Sequence, residues 1–412
     1  MKPTAASLDR RAFLGRGLGA MAGAALAPSW LSAAARALGA GPRALIVVEL
    51  FGGNDGLDTL IPFGDDRYRA ARPLLGRGKS DCLALDEIQG LHTSLARLRG
   101  WYDQGAVALV RGVGYPEPNL SHFTSRDIWS CARTSSLPSA EGWMWSARGS
   151  GGEAALLALG NDAAPPMVRG ARGAGLAVWD LREFHLDEPG ALEAGEATAR
   201  RAAFEALAAG ERSEVECDYT AARLRDTLGS IERLANVRRA SRPAEYPPTP
   251  LGRDLAGCAD VIASGLPTRL FHVQHDGYDT HTTQRSVHAR LLAELDAALH
   301  ALMSDLRAQG RLDSTLVLVT SEFGRRVVES GVGSEAGTDH GAASLSILLG
   351  GGVRGGVHGA PFDLADLDEA GNLRYTTDFR SVLREALGGW LGLDAPALLA
   401  GDWPTLDLVR PA

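Results

Sequence analysis

Three apolar runs, each stopping abruptly at glycine and charged residues, constrain this chain more than any other feature. Ala44-Leu45-Ile46-Val47-Val48-Glu49-Leu50 runs into Phe51-Gly52-Gly53-Asn54-Asp55-Gly56. Leu270-Phe271-His272-Val273-Gln274 runs into His275-Asp276-Gly277-Tyr278-Asp279-Thr280-His281. Leu316-Val317-Leu318-Val319-Thr320 runs into Ser321-Glu322-Phe323-Gly324-Arg325, followed by Gly337-Thr338-Asp339-His340-Gly341. Apolar, β-branched runs with almost no polar alternation mark parallel strands buried on both faces. Between the second and third runs, Leu291, Leu292, Leu295, Leu299, Leu302 and Leu306 recur at helical spacing and predict a helix over Ser286–Gln309. Strand, crossover helix and strand form a right-handed parallel unit. Open α/β sheets hold ligands at the carboxyl ends of their strands, so the three ends should converge on one site. A site that mixes carboxylates with imidazoles indicates a metal.

The same reading places strands at Ala106–Val110, Leu156–Leu159, Leu176–Leu181 and Ser344–Leu349. Helices are expected at Leu91–Gln104, Leu251–Ser264 and Phe379–Leu391, the last capped by Asp378. Asn119 or Ser121 is placed to cap a helix running through Trp129. From Pro189 to Ser241 the chain turns rich in Ala, Glu, Arg and Leu, and four prolines follow between Arg242 and Pro250. This predicts a helical insertion at about 189–250 within a single domain over 41–412.

Residues 1–40 read as an export signal rather than as fold. Leu8-Asp9-Arg10-Arg11-Ala12-Phe13-Leu14 resembles a twin-arginine motif, and a small-residue apolar stretch follows from Leu18 to Leu31. A membrane anchor is the alternative, but the stretch is short and poor in Leu and Ile. The expectation is a periplasmic or secreted protein with no membrane span after cleavage, its mature chain starting between Arg36 and Pro42. Across the 412 residues the net charge is −8 with no basic stripe, which excludes nucleic acid as a partner. Gly350-Gly351-Gly352-Val353-Arg354-Gly355-Gly356 lacks the spacing of a phosphate-binding loop, and no dinucleotide fingerprint follows any strand. Cys82, Cys131, Cys217 and Cys258 form no CxxC, and their spacing selects no disulfide pairing.

The candidate metal ligands are Asp55, Asp279, His281, Glu322, Asp339 and His340. Asp279 and His281 lie two apart and face the same way in extended backbone. Glu322 directly follows a buried strand and needs a cation, with Arg325 or Arg326 as the alternative to a metal. Gly53-Asn54-Asp55-Gly56 is also strong turn chemistry. His288 falls inside the following helix and reads as structural. Imidazoles shift the metal towards Zn or Mn, while carboxylates alone suit Ca or Mg. Ser121 is the candidate nucleophile at a helix start, with a plain capping serine as its alternative. His122 is a candidate ligand or phosphate contact. Asn54, Arg126 and Arg325 are candidate substrate contacts.

Phe51–Pro62, Asn119-Leu120-Ser121-His122-Phe123, Gly277–His281, Ser321–Arg325 and Gly337–Gly341 together resemble the bacterial family of domains of unknown function numbered 1501, over nearly all of the mature chain. That family falls in the alkaline phosphatase and sulfatase superfamily. The resemblance implies a three-layer α/β sandwich, a mostly parallel sheet, two metals, a nucleophile at a helix start matched by Ser121, and ligands matched by Asp55, Asp279 and His281. It departs at Ser321-Glu322-Phe323-Gly324, where the superfamily has Asp-His-Gly straight after a strand. Ser121 also lacks the Cys/Ser-x-Pro-x-Arg context of sulfatases. The expected function is metal-dependent hydrolysis of a small-molecule or glycan phosphate or sulfate ester. The rival expectation is a non-catalytic envelope binding protein on the same fold.

Overall fold

The computed structural model describes residues 42–411, apart from 135–140, 150–154, 172, 183–198 and all but a scatter of positions from 199 to 241. The export signal therefore lies outside the described residues, as do Cys217 and most of the expected insertion. Residues 202–207 within the insertion are helical. Cys82, Cys131 and Cys258 carry free thiols.

The central sheet orders its strands as Gly356–His358, Val107–Gly114, Ser344–Leu349, Thr315–Thr320, Ala44–Phe51, Leu270–Asp276, Leu156–Leu159 and Leu176–Val178. Ser344–Leu349 is the antiparallel member, and its neighbours on the path run parallel to one another. Ala44–Phe51 sits between Leu270–Asp276 and Thr315–Thr320, with Glu49 level with both Gln274 and Thr320. The three strand ends thus share one edge, as their sequence pattern predicts.

Alternate residues of the first strand face two separate cores. Ile46, Val48 and Leu50 meet the helices Ala96–Asp103, Pro250–Ser264 and Gln284–Ala308. Leu45 and Val47 belong to the other core, with His122–Cys131, Trp143–Ala147 and Phe379–Arg384. Covering both faces is what a parallel sheet of continuous apolar strands requires. The result is the expected three-layer α/β arrangement with a mostly parallel sheet.

Helix boundaries follow local chemistry. Thr249 caps Pro250–Ser264 through the Gly252 amide at 3.1 Å, and Gly265 closes it at φ 74°. Asp378 caps Phe379–Arg384 as expected, and the chain then widens into π turns over Glu385–Trp390. The helix expected over Leu91–Gln104 begins later. Gly90–His92 pairs with Leu60–Ile61 and Cys82–Ala84, and the helix starts at Ala96. The physical reason is tertiary: Asp296 of the long helix takes the amides of Arg97 and Leu98 at 3.2 and 2.7 Å, which fixes the start.

One buried charge inside the first strand went unforeseen. Glu49 is 3% exposed and receives Arg126 Nε and Nη2 at 2.8 and 2.7 Å, with His272 Nε2 at 3.0 Å. Burial alone would raise its carboxyl, but His272 and Arg126 bring it down to about 2. An unfolded Glu titrates near ~4.3. The folded value is the lower one, so the pair stabilises fully above about 4.3, and the contribution fades as pH falls towards 2. It amounts to about 3 kcal/mol at neutral pH. Urea titrations should show Glu49→Gln well below wild type at pH 6, with the gap narrowing by pH 2.5. A gap that does not change with pH would remove the pair from the acid response.

Candidate metal centre

Three imidazoles and one carboxylate meet at the carboxyl edge of the sheet. Ligand-type atoms of His122, Asp279 and His340 all lie within 4.8 Å of one another. His281 joins them, with Nε2 at 2.9 Å from His340 Nε2 and 3.1 Å from Asp279 Oδ1. His340 Nε2 is also 3.1 Å from Asp279 Oδ1, and His122 Nε2 is 3.4 Å from Asp279 Oδ2. A shared first shell with bonds of about 2.0–2.2 Å places its ligand atoms within roughly twice that spacing.

Each ring is held from behind. His122 Nδ1 lies 2.8 Å from Glu322 Oε1, His340 Nδ1 lies 2.7 Å from the Leu120 carbonyl, and His281 Nδ1 lies 3.2 Å from Asp339 Oδ1. All three partners are acceptors, so in the neutral rings the proton sits on Nδ1 and the lone pair on Nε2. Three Nε2 lone pairs and a carboxylate then face one another. His122 Nε2 is buried without a hydrogen-bond partner. Such a set repels itself unless a cation lies between its members. An acceptor behind each ligating imidazole is the usual outer layer of a metal site. The residues therefore fit a divalent metal.

Two residues expected as ligands stand behind the rings in this arrangement. Glu322 and Asp339 were expected as ligands, but they orient His122 and His281. The Glu322 side chain is completely buried and also takes the Gly52 amide at 2.8 Å and Ser321 Oγ at 3.0 Å. Its hydrogen bond raises the His122 pKa above the ordinary imidazole value. Burial pulls His340 below it, towards the neutral form. Burial also works against ionised Asp279, but Arg325 and then His340 bring its carboxyl to about 2.

Asp55 does not join the group. Its carboxylate caps the turn Gly56–Thr59 through the Leu57 and Asp58 amides at 3.0 and 3.2 Å. It also takes Arg72 Nη1 at 2.7 Å and Gln284 Nε2 at 2.5 Å. Asn54 is likewise buried. Its backbone N–H donates to Ser321 Oγ at 2.9 Å, and its Oδ1 meets His288 Nε2 at 3.0 Å. His288 is structural as expected, held also by Asp58 at 2.9 Å.

Two arginines read as substrate contacts are engaged inside the fold. Arg126 is engaged by Glu49. Arg325, 2% exposed, donates to the carbonyls of Gly53, Thr338 and Tyr278 at 2.8, 2.8 and 2.9 Å, to Gly52, and to Asp279 Oδ1 at 2.7 Å. One guanidinium thus ties the Gly52–Gly53, Tyr278–Asp279 and Thr338 stretches together. The loops approach closely because glycines allow it. A Cβ at Gly52, where φ is 120°, would meet the Asp279 nitrogen at 2.3 Å, and one at Gly337 would meet the His281 carbonyl oxygen at 2.1 Å.

Ser121 occupies the N-cap position of the His122–Cys131 helix, yet its hydroxyl makes no capping bond. Ser121 sits exposed between Leu120, whose carbonyl holds His340, and His122. Phe323 packs its ring 4.9 Å from His122 and 4.7 Å from His340, an aromatic wall that the sequence reading missed.

Residues 235–396 match the model of a family described as "Protein of unknown function (DUF1501)". The matched stretch contains Asp279, His281, Glu322, Asp339 and His340, while Ser121 and His122 precede it. No curated protein matches the chain. Among solved structures it is similar to the PsFucS1 sulfatase from Pseudoalteromonas sp., at 11% identity over 90% of this chain and 73% of that one, with a TM-score of 0.41. It is also similar to the phosphonate monoester hydrolase SpPMH from Silicibacter pomeroyi, at 13% identity over 88% and 78%, TM-score 0.32. The alkaline phosphatase from the Antarctic bacterium TAB5 follows at 10% identity over 75% and 91%, TM-score 0.31. Identities and scores this low carry no residue roles across.

Proposed function

We propose that the chain is an exported metal-dependent hydrolase that binds one divalent cation through His122, Asp279, His281 and His340 and acts on a phosphate or sulfate ester. The observation that carries this is the set of three imidazoles, each held at Nδ1 by an acceptor and each turning Nε2 towards Asp279. Three imidazoles and one carboxylate favour Zn or Mn over Ca or Mg. Such an ion supplies Lewis-acid polarisation of an ester oxygen. Arg325 keeps Asp279 ionised and in place, and Glu322 fixes the His122 ring. Ser121 offers an uncapped, exposed hydroxyl beside two of the site's anchor points, at the start of a ten-residue helix whose first amides favour an anion.

One observation favours the rival reading of an envelope binding protein: Arg126 and Arg325, the arginines expected to meet an anionic ester, are bound inside the fold. The assay that separates the readings uses the metal-loaded chain against aryl phosphate, phosphonate and sulfate esters. Hydrolysis that falls at least a hundredfold in Ser121→Ala while metal content stays unchanged supports the enzyme. Absence of turnover on every ester leaves the binding protein.

Export is part of the same proposal. No helix among the described residues is long and apolar enough to cross a membrane. The double substitution Arg10→Lys, Arg11→Lys should leave precursor in the cytoplasm on fractionation. Unchanged export of that variant refutes twin-arginine routing.

A further inference from the structure

The described residues include five buried arginines, Arg72, Arg77, Arg111, Arg325 and Arg380. Four pair with carboxylates: Arg72 with Asp55, Arg77 with Asp58, Arg325 with Asp279 and Arg380 with Asp378. Arg111 does not. It is 8% exposed and donates Nη1 to Gln89 Oε1 at 3.1 Å and Nη2 to the Gly359 carbonyl at 2.6 Å, while its Nε has no partner. Asp86 stands one amide removed, since Gln89 Nε2 is bound to Asp86 Oδ2 at 2.7 Å. A buried guanidinium with only neutral acceptors carries a desolvation cost that an anion would offset.

The backbone places Arg111 deliberately. The pairing of Val107–Gly114 with Ser344–Leu349 steps from Val110↔Ser346 to Val113↔Ser344, so Arg111 and Gly112 together lie opposite Leu345. This is a β-bulge, with Gly112 at φ 62°, and bulges re-aim side chains at functional positions. Arg111 lines a cleft of about 670 Å³ with Gln89 beside it and Pro62, Ile88, Pro361 and Phe362 as apolar walls. Ile88 is 52% exposed in that wall. Asp65 and Asp66 stand among the lining residues, but Asp65 is held by the Arg67 amide at 2.9 Å at its own helix start. The cleft shares no residue with the metal centre.

We propose that this cleft is a binding site for a small organic carboxylate with a flat apolar body, its carboxylate on Arg111 and its body against Phe362, Ile88 and the two prolines. A fork-shaped guanidinium meets a carboxylate in two parallel hydrogen bonds, and the two oxygens would take donors that now lack charged partners.

The test uses the mature chain and benzoate as probe, with benzamide as its uncharged counterpart, read by calorimetry and by thermal melting. Benzoate should bind saturably and raise the melting temperature, while benzamide should bind at least tenfold more weakly. Arg111→Gln should lose benzoate binding at least tenfold yet melt, without ligand, no lower than wild type, because it removes an uncompensated buried charge. Arg111→Lys, which keeps the charge but not the fork, should fall between them and serves if Arg111→Gln misfolds. His340→Ala should leave benzoate binding intact, which separates the cleft from the metal centre. Benzoate binding that survives in Arg111→Gln, vanishes in His340→Ala, is matched by benzamide, or is absent at tens of millimolar would overturn the assignment, as would inorganic phosphate binding at Arg111 in benzoate's place.

Discussion

Replacing Arg325 by Met is expected to destabilise the fold by about 5 kcal/mol, a large share of the ~5–15 kcal/mol that holds a typical domain together. The guanidinium is buried, and its loss takes one partner from Asp279 and strands the carbonyls of Gly52, Gly53, Tyr278 and Thr338. Asp279 is half-exposed and keeps its histidine partners, so the cost comes mainly from the orphaned buried carbonyls, about 1–3 kcal/mol each before relaxation. Arg325→Lys should recover little, because a single ammonium cannot reach the carbonyls that the fork spans. Denaturant melts of the purified variants measure this. The competing reading treats Arg325 as a substrate contact and predicts a stable, inactive protein. A variant that melts within about 1 kcal/mol of wild type would favour that reading.

His340→Ala should remove most of the bound metal while leaving the sheet folded. His340 belongs to the Gly337–Gly341 strand of a two-stranded hairpin with Gly324–Ser330, outside the central sheet. Its side chain contributes Nε2 to the site and takes only the Leu120 carbonyl elsewhere. Glu322→Gln is the companion. It keeps the shape but weakens the hold on His122, and changes in this outer layer lower metal affinity by about 10–100-fold. At free metal about a hundred times Kd, the ion adds about 2.7 kcal/mol of stability, which chelation removes. Wild type should therefore lose melting temperature on chelation, while His340→Ala should not. Equal metal content in wild type and His340→Ala would remove the imidazole from the site.

The sheet was legible because its strands carry their burial in their sequence. Ala44–Leu50, Leu270–Gln274 and Leu316–Thr320 have few alternative places in an α/β fold, and their polar ends had to share an edge. The residue types of the centre were legible for the same reason. Their roles were not. Glu322, Asp339 and Asp55 are equally plausible ligands in one dimension, and what separates them is the partner each finds in space. Arg72 reaches Asp55 from 17 residues on, and Arg126 reaches Glu49 from the helix packed on that face of the sheet. His122, read as a ligand or a phosphate contact, is oriented by Glu322, 200 residues on. The late start of the Ala96–Asp103 helix was hidden likewise, since its amides are fixed by Asp296 from another element. In each case a long-range electrostatic contact sets what the local pattern leaves open.

The central claim is a single metal held by nitrogen-rich ligands, and elemental analysis joined to X-ray absorption of the purified mature chain tests it most directly. The account predicts one divalent ion per chain, Zn or Mn, with a first shell dominated by imidazole nitrogen at roughly 2.0–2.2 Å and one carboxylate. A chain that retains no divalent ion and gains no stability from any, or one whose metal shows an all-oxygen shell, would contradict it.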